Sequence, residues 1–402
     1  MGQPAQSTNL TGFAAEYDNS QNIFYVGQDQ KPYQLFWQNG QWVSVDIIQQ
    51  WVNDLHIITL PFPLPGDGSR GDTALASNAS ESVKIGFLFY ISTDHHVMGL
   101  PVPPLQGASI PRGGSIAEAL NPDLTARLGT PPAMAGSALI SFAWEKQQSQ
   151  HVFFQGNDGN VWELYCPGLQ QDPKRGGLFW QANNLSDDTG YTDDLRPKPG
   201  GAMAAYMFEN LGTEHVVYIA RDNTIRELVY TGGKWSGSNL LEMTGAPAPH
   251  PGSQIAGYAA EYENTAHVIY VTGNGDVQEL YWNADWHNGQ PNLTQTTGAP
   301  VPAPDSALCG WAVQYEQSQH IIYCDSGSTL WELYHNAGGW GSTNLSVSAG
   351  SGAPAPLSSA TPLAAYSFEN QHTDHVLYLD RNTQVHEMYR SGNAWFAGEK
   401  TG

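Results

Sequence analysis

Five histidines of this 402-residue chain stand at the same place in a recurring phrase. His151, His215, His267, His320 and His375 each follow a Glu or Gln by six residues and precede Glu163, Glu227, Glu279, Glu332 or Glu387 by twelve. A first copy keeps the spacing with Asn22 and Gln34. A carboxylate beside an imidazole is a minimal acid–base pair, and Glu261 with His267 would face each other across a hairpin. The recurrence itself argues against catalysis. Buried polar groups are normally paired, so one hydrogen bond repeated from the first strand to the second explains the pattern more simply. A tryptophan closes each copy, at Trp42, Trp180, Trp235, Trp286, Trp340 and Trp395. Aromatics of this size are mostly core, and their other use is as a stacking platform for a sugar.

Other signatures of chemistry are missing. There is no GxSxG elbow and no P-loop, and His386-Glu387 lacks the second histidine of HExxH. Gly66 to Gly71 spells GxGxxG, but a proline run precedes it and no helix follows. His95 and His96 are adjacent and would point to opposite faces of a strand. Cys166, Cys309 and Cys324 form neither CxxC nor a zinc spacing; Cys309 and Cys324 fall on neighbouring strands and could pair or simply fill the core. No metal and no cofactor are expected.

Composition sets the frame for these residues. Gly 43 and Pro 26 punctuate the chain, aromatics make up 11%, and charged residues only 13%, against roughly 25% in an average domain. Short strands and tight turns fit this balance; a coiled coil or a disordered polymer does not. Sixteen Lys and Arg against 38 Asp and Glu give a net charge of −22, which disfavours nucleic acid or an anionic membrane as partner. No run of eighteen apolar residues exists to span a bilayer. The first residues, Met1 to Ser7, lack the basic start and apolar run of a signal peptide. Localisation stays open between secretion after removal of a leader and the cytoplasm. Of the sequons at Asn9, Asn78, Asn184, Asn292 and Asn344, the last three share one repeat position, which points to local backbone chemistry rather than glycosylation.

The repeats decide the architecture. Phrases like Gly257-Tyr258-Ala259-Ala260-Glu261 start at 12, 141, 205, 257, 310 and 365, and a degenerate copy is read at 86, with Gly86 to Tyr90 followed by His96. Each copy holds about four short alternating segments, and repeats of this length with four strands mark propeller blades. The expected fold is all-β: a seven-bladed β-propeller of four-stranded antiparallel blades with a degenerate second blade. It is read as one domain over 1–402, with blades beginning near 10, 84, 139, 203, 255, 308 and 363. Passing loops such as Gly245-Ala246-Pro247-Ala248-Pro249 are short. Between the first two blades the connection swells to about 43–82, and long loops on a rigid scaffold concentrate function. That loop brings Trp51, His56 and Arg70; later loops on the same face bring Arg112, Arg127, Tyr191, Arg196 and His250.

The segments Ile225-Arg226-Glu227-Leu228 and Val277-Gln278-Glu279-Leu280-Tyr281, preceded by His-Val-x-Tyr and followed by Trp, resemble those of the fungal fucose-specific lectin family of β-propellers and its bacterial relatives. The resemblance runs over nearly the whole chain. It implies a fucose site built from an Arg opening the second strand, a Glu on the third, and an aromatic. Glu163, Glu227, Glu279, Glu332 and Glu387 match the Glu, and Trp235, Trp340 and Trp395 would supply the aromatic. The Arg position is His throughout, which exchanges a fixed fork of donors for a single one, and seven blades replace the family's six. The chain also resembles, in its lost Arg, degenerate blade and large loop, the lectin-fold hetero-Diels–Alderases of fungal tropolone sesquiterpenoid biosynthesis. That resemblance implies one pocket for a small apolar or aromatic substrate, where alignment of diene and dienophile supplies the rate. Arg112, Arg127, Arg196 or His56 would polarise the quinone oxygen, between walls from Trp51, Tyr191 and His250. The leading expectation is this cofactor-independent cycloaddition; the alternative is a multivalent, fucose-type carbohydrate-binding lectin without enzymatic activity.

Overall fold

The computed structural model describes residues 3–5, 8–50, 74–102, 122–168, 178–289, 292–350 and 352–398. Its fold is a seven-bladed β-propeller, with three blades in one compact unit, Met1–Asp187, and four in a second, Asp188–Gly402. Six blades are antiparallel sheets of four strands in simple sequence order, and the second has three described strands. First strands begin at Thr11, Leu75, Leu139, Met203, Ile255, Leu308 and Leu363. The second blade therefore opens on Leu75–Ser80, and the segment expected to open it, Ile85–Ile91, is its second strand. That shift moves His96 out of the histidine position and into the turn before the third strand, where its Nδ1 meets Asp123 Oδ2 at 2.5 Å. Phe87 and Gly99 stand where other blades have His and Glu, so this blade has an apolar pair in place of the polar one.

Alternation in the outer strands and near-continuous apolar runs in the inner ones follow from burial. The second strand of nearly every blade is buried along its length, as in Ser318–Cys324 and Thr373–Leu379, because sheets cover it on both faces. Within each unit successive blades share a core: Tyr206, Phe208 and Val217 pack on Val268, Tyr270 and Leu280, and Tyr258 and Ile269 on Ile321 and Leu333. Polar clasps add to this packing. The carboxylate of Glu261 accepts the backbone N–H groups of Glu209 (2.6 Å) and Asn210 (2.9 Å) in the preceding blade's first turn. Glu81 holds Glu16 and Tyr17 in the same way, and Glu145 holds Glu81 and Ser82. The Glu of the repeated phrase thus serves the blade before it and is not the histidine's partner.

Passing loops are tied down by one recurring tyrosine. Tyr218, Tyr270, Tyr323 and Tyr378 donate to the carbonyls of Leu195, Pro247, Pro300 and Pro354. Bridges such as Pro249 to Thr272 place the passing loops of the third to seventh blades beside the turn after the second strand. The three sequons that share a repeat position start short helices after the fourth strand: Asn292 and Asn344 accept the backbone N–H groups of Gln295 and Val347, and Asn184 that of Asp187. A side-chain acceptor at the N-cap satisfies an otherwise orphaned helix donor. Among the described residues no helix is long and apolar enough to cross a membrane.

Candidate functional site

The histidine chain is built the same way in five blades. In the fifth, His267 lies opposite Tyr281, and Ile269 opposite Glu279. A period of two puts Thr265, His267, Glu279 and Tyr281 on one face. His267 Nδ1 meets Glu279 Oε1 at 2.9 Å, its Nε2 meets Thr265 Oγ1 at 2.7 Å, and its ring stacks on Tyr258 at 5.1 Å. The bond therefore joins the second strand to the third, not the first to the second. Ser149–His151–Glu163, Thr213–His215–Glu227, Ser318–His320–Glu332 and Thr373–His375–Glu387 repeat it. In the first blade Gln34 donates to Asn22 at 2.6 Å, and Asn22 to Ser20. The order hydroxyl, imidazole, carboxylate is that of a hydrolytic triad. Its near-complete burial and fivefold repetition make it a structural relay, with each buried polar atom supplied by the next.

What differs between blades is the wall facing the relay. In the first unit, Trp180 of the third blade packs edge-on against Phe87 and Phe89. In the second unit, Trp286 donates to Glu227 Oε2 at 3.0 Å, and Ser238 donates to the same oxygen at 3.1 Å. Trp395 donates to Glu332 Oε2 at 2.9 Å. Beside it Arg390 is buried against Asp374, Glu316 (2.6 Å) and His320 (3.3 Å). Glu316, His320 and Asp374 converge closely enough to hold a metal ion, but the guanidinium takes that position. These junctions are filled.

Between the fifth and sixth blades the same place is open. A cavity of about 570 Å³ is lined by residues that include Glu263, His267, Glu279, Gln319, His335 and Trp340, with Tyr281 and Asn288 also on its wall. Pockets of roughly 300–1,000 Å³ are the size that takes small ligands. Glu279 is only 5% exposed, and among the described residues no side chain donates to its Oε2. Gly289 leaves room for that oxygen, since a Cβ there would lie 2.6 Å away. Trp340 is half-buried and tilts against His335 at 5.2 Å rather than reaching Glu279. Glu263, in the turn before Thr265, accepts from Thr265 (2.9 Å) and Gln319 (2.7 Å), and lies 3.6 Å from His267 Nε2. Burial works to lower the pKa of His267, but hydrogen bonds to Glu263 and Glu279 outweigh it and hold the imidazole above its ordinary value. The His267 bond in turn lowers the Glu263 carboxyl.

Of the loop residues proposed for a central pocket, the structure describes Arg127, Tyr191, Arg196 and His250. Trp51, His56, Arg70 and Arg112 lie outside the described residues. Arg127 donates to the Leu178 carbonyl at 2.8 Å, and Arg196 to Asp193 at 2.7 Å. Tyr191 packs on the fourth blade, where a Cβ on Gly237 would lie 2.1 Å from its hydroxyl. His250 accepts the Gly252 N–H at 3.2 Å. Trp235 is buried against Tyr230. Cys166, Cys309 and Cys324 are free, and burial pushes all three thiols up to about 12. Glu263, Tyr281, Gln319 and His335 were not singled out in the sequence. A Ser or Thr two places before each His was visible in every copy; the departures at 263 and 335 needed the blades to be compared face by face.

No protein-family model matches the chain, and no curated protein matches it in sequence. Solved structures do. A lectin from Burkholderia pseudomallei aligns with a TM-score of 0.67 at 15% identity, over 97% of this chain and 98% of its own. The fold is that of lectin β-propellers. The six-bladed fungal lectin of Aleuria aurantia, described as having a novel fucose recognition mode, gives 0.56 at 15% identity over 82% of this chain and 95% of its own. A variant of that lectin in complex with α-methyl-L-fucoside gives 0.55 at 16%, over 82% and 95%. At such identities the lectin likeness is one of architecture, and the site has to be argued from this chain's own residues.

Proposed function

We propose that the chain is a carbohydrate-binding, lectin-like β-propeller whose sugar site is the cleft between its fifth and sixth blades. The observation that carries this reading is the open cleft itself: a carboxylate oxygen of Glu279 without a side-chain donor among the described residues, on the same cleft wall as the half-buried indole of Trp340. Acceptors for hydroxyl groups beside an aromatic face are what a sugar requires, because one side of its ring is apolar and its rim is all donors and acceptors. The lectins of the same fold, one of them solved with a fucoside, support the class of ligand. Fucose held in the family manner is disfavoured, since both nitrogens of His267 are already engaged with Thr265 and Glu279.

The cycloaddition reading gains no comparable support. Its remaining described residues, Arg127, Arg196, Tyr191 and His250, are each occupied locally. Calorimetric titration of the chain with monosaccharides and short glycans tests the proposal. Binding that disappears in Trp340→Ala but survives in Trp235→Ala is expected. Loss in both variants alike, or no binding by any glycan, would overturn it.

A further inference from the structure

We infer that the cleft between the fifth and sixth blades selects a sugar carrying a protonated amine. The inference rests on the glycan-binding reading and names the ligand class of that same site.

Its basis is the junction one blade further on, where the chain fills the equivalent cleft itself. Asp374 precedes His375 as Gln319 precedes His320, and Arg390 stands opposite Trp395 as His335 stands opposite Trp340. Glu316 and Glu263 likewise each sit four residues before their histidine. At the sixth–seventh junction the guanidinium of Arg390 bridges Glu316 and Asp374, alongside the Trp395 bond to Glu332. At the fifth–sixth junction that cation is replaced by the shorter His335, and the aspartate by Gln319. The exchange empties the volume while Glu263 and Glu279 keep their carboxylates.

What remains is acceptor-rich. No Lys or Arg is among the described residues lining the cleft. His267 offsets one of the two carboxylates, being bonded to Glu279 and near Glu263. The Oε2 atom of Glu279 faces the cleft with no side-chain donor among the described residues, so a ligand entering the cleft meets a free acceptor. A neutral hydroxyl would supply one hydrogen bond. An ammonium supplies up to three, each strengthened by charge, and the indole of Trp340 on the cleft wall favours a cation over an anion. Sugars bearing a carboxylate or sulfate are excluded by the same field.

Titration of the full chain at neutral pH and low salt with glucosamine, N-acetylglucosamine, glucose and methylammonium separates the possibilities. Glucosamine is expected to bind about tenfold or more tightly than glucose and N-acetylglucosamine, with the preference falling as salt rises. Glu263→Gln, a change in a half-exposed turn, is expected to reduce the preference while leaving the circular dichroism spectrum unchanged. Equal binding of the three sugars would overturn the amine inference and leave the glycan reading intact. Methylammonium binding as tightly as glucosamine would overturn the glycan reading and leave a cation site. Glucosamine binding that ignores both Glu263→Gln and Glu279→Gln would overturn the placement.

Discussion

The fifth–sixth and sixth–seventh junctions are built from the same strands in the same register, yet one is a cavity and the other is solid. Both have the hydroxyl–imidazole–carboxylate relay, and both have a tryptophan on the neighbouring blade's outer strand. The difference lies in two residues, Gln319 and His335 against Asp374 and Arg390. Where the arginine is present, its charge is shared between buried Asp374 and partly exposed Glu316, and Trp395 bonds Glu332. Where it is absent, Trp340 stays half-exposed and Glu279 keeps an unused oxygen. Repetition supplies the scaffold, and departure from repetition supplies the site.

Breaking the solid junction should have the largest effect. Arg390→Ala strands Asp374, which is fully buried, and removing one partner of a buried charge pair costs about 3–5 kcal/mol. A lowered midpoint in urea with an unchanged slope is the expected readout; a change below about 1 kcal/mol would mean that water or rearrangement replaces the guanidinium.

Transplanting the ion pair tests the comparison in the other direction. Gln319→Asp with His335→Arg should fill the open cleft and weaken sugar binding by about 100-fold, or ~2.7 kcal/mol, with little loss of stability. The reverse exchange, Asp374→Gln with Arg390→His, should open a second cleft. Titration would then show the number of sites rising from one to two, with weaker affinity at the new one. An unchanged stoichiometry would show that Trp395 seals the junction by itself.

The smallest effect concerns pH. The pKa of His267 is raised in the folded chain, so its contribution to stability is complete below the ordinary histidine range and fades as pH climbs through the folded value. That of Glu263 is lowered, so its contribution is present above the ordinary carboxylate value and is lost on acidification. The Glu263–His267 pair therefore works between these limits. Glu263→Gln should cost about 0.5–1 kcal/mol between the ordinary carboxylate and histidine ranges, discounted for the exposure of the glutamate, and progressively less as pH climbs through the raised His267 value. A cost independent of pH would assign Glu263 to hydrogen bonding with Thr265 and Gln319 alone.

Spacing in the chain was enough to read the blade count and the four-strand pattern, because a structure repeated in space must repeat the residues that build it. The Glu of the phrase and the histidine six residues on were matched wrongly. In sequence they are nearest neighbours, but in the sheet the histidine faces the third strand and the glutamate serves the preceding blade. The second blade was entered one strand late because Phe87 and Gly99 had erased the polar pair that marks the register.

The sequence by itself determined the propeller, through period and alternation, and the kinds of residue available at each junction. Only the tertiary structure decided which junction is hollow. That outcome depends on residues about sixty to seventy-five positions apart coming to one junction between two sheets, Glu279 with Trp340 and Glu316 with Arg390, and on whether a guanidinium or an imidazole occupies the volume between them. No local pattern encodes that volume, because it belongs to neither blade alone.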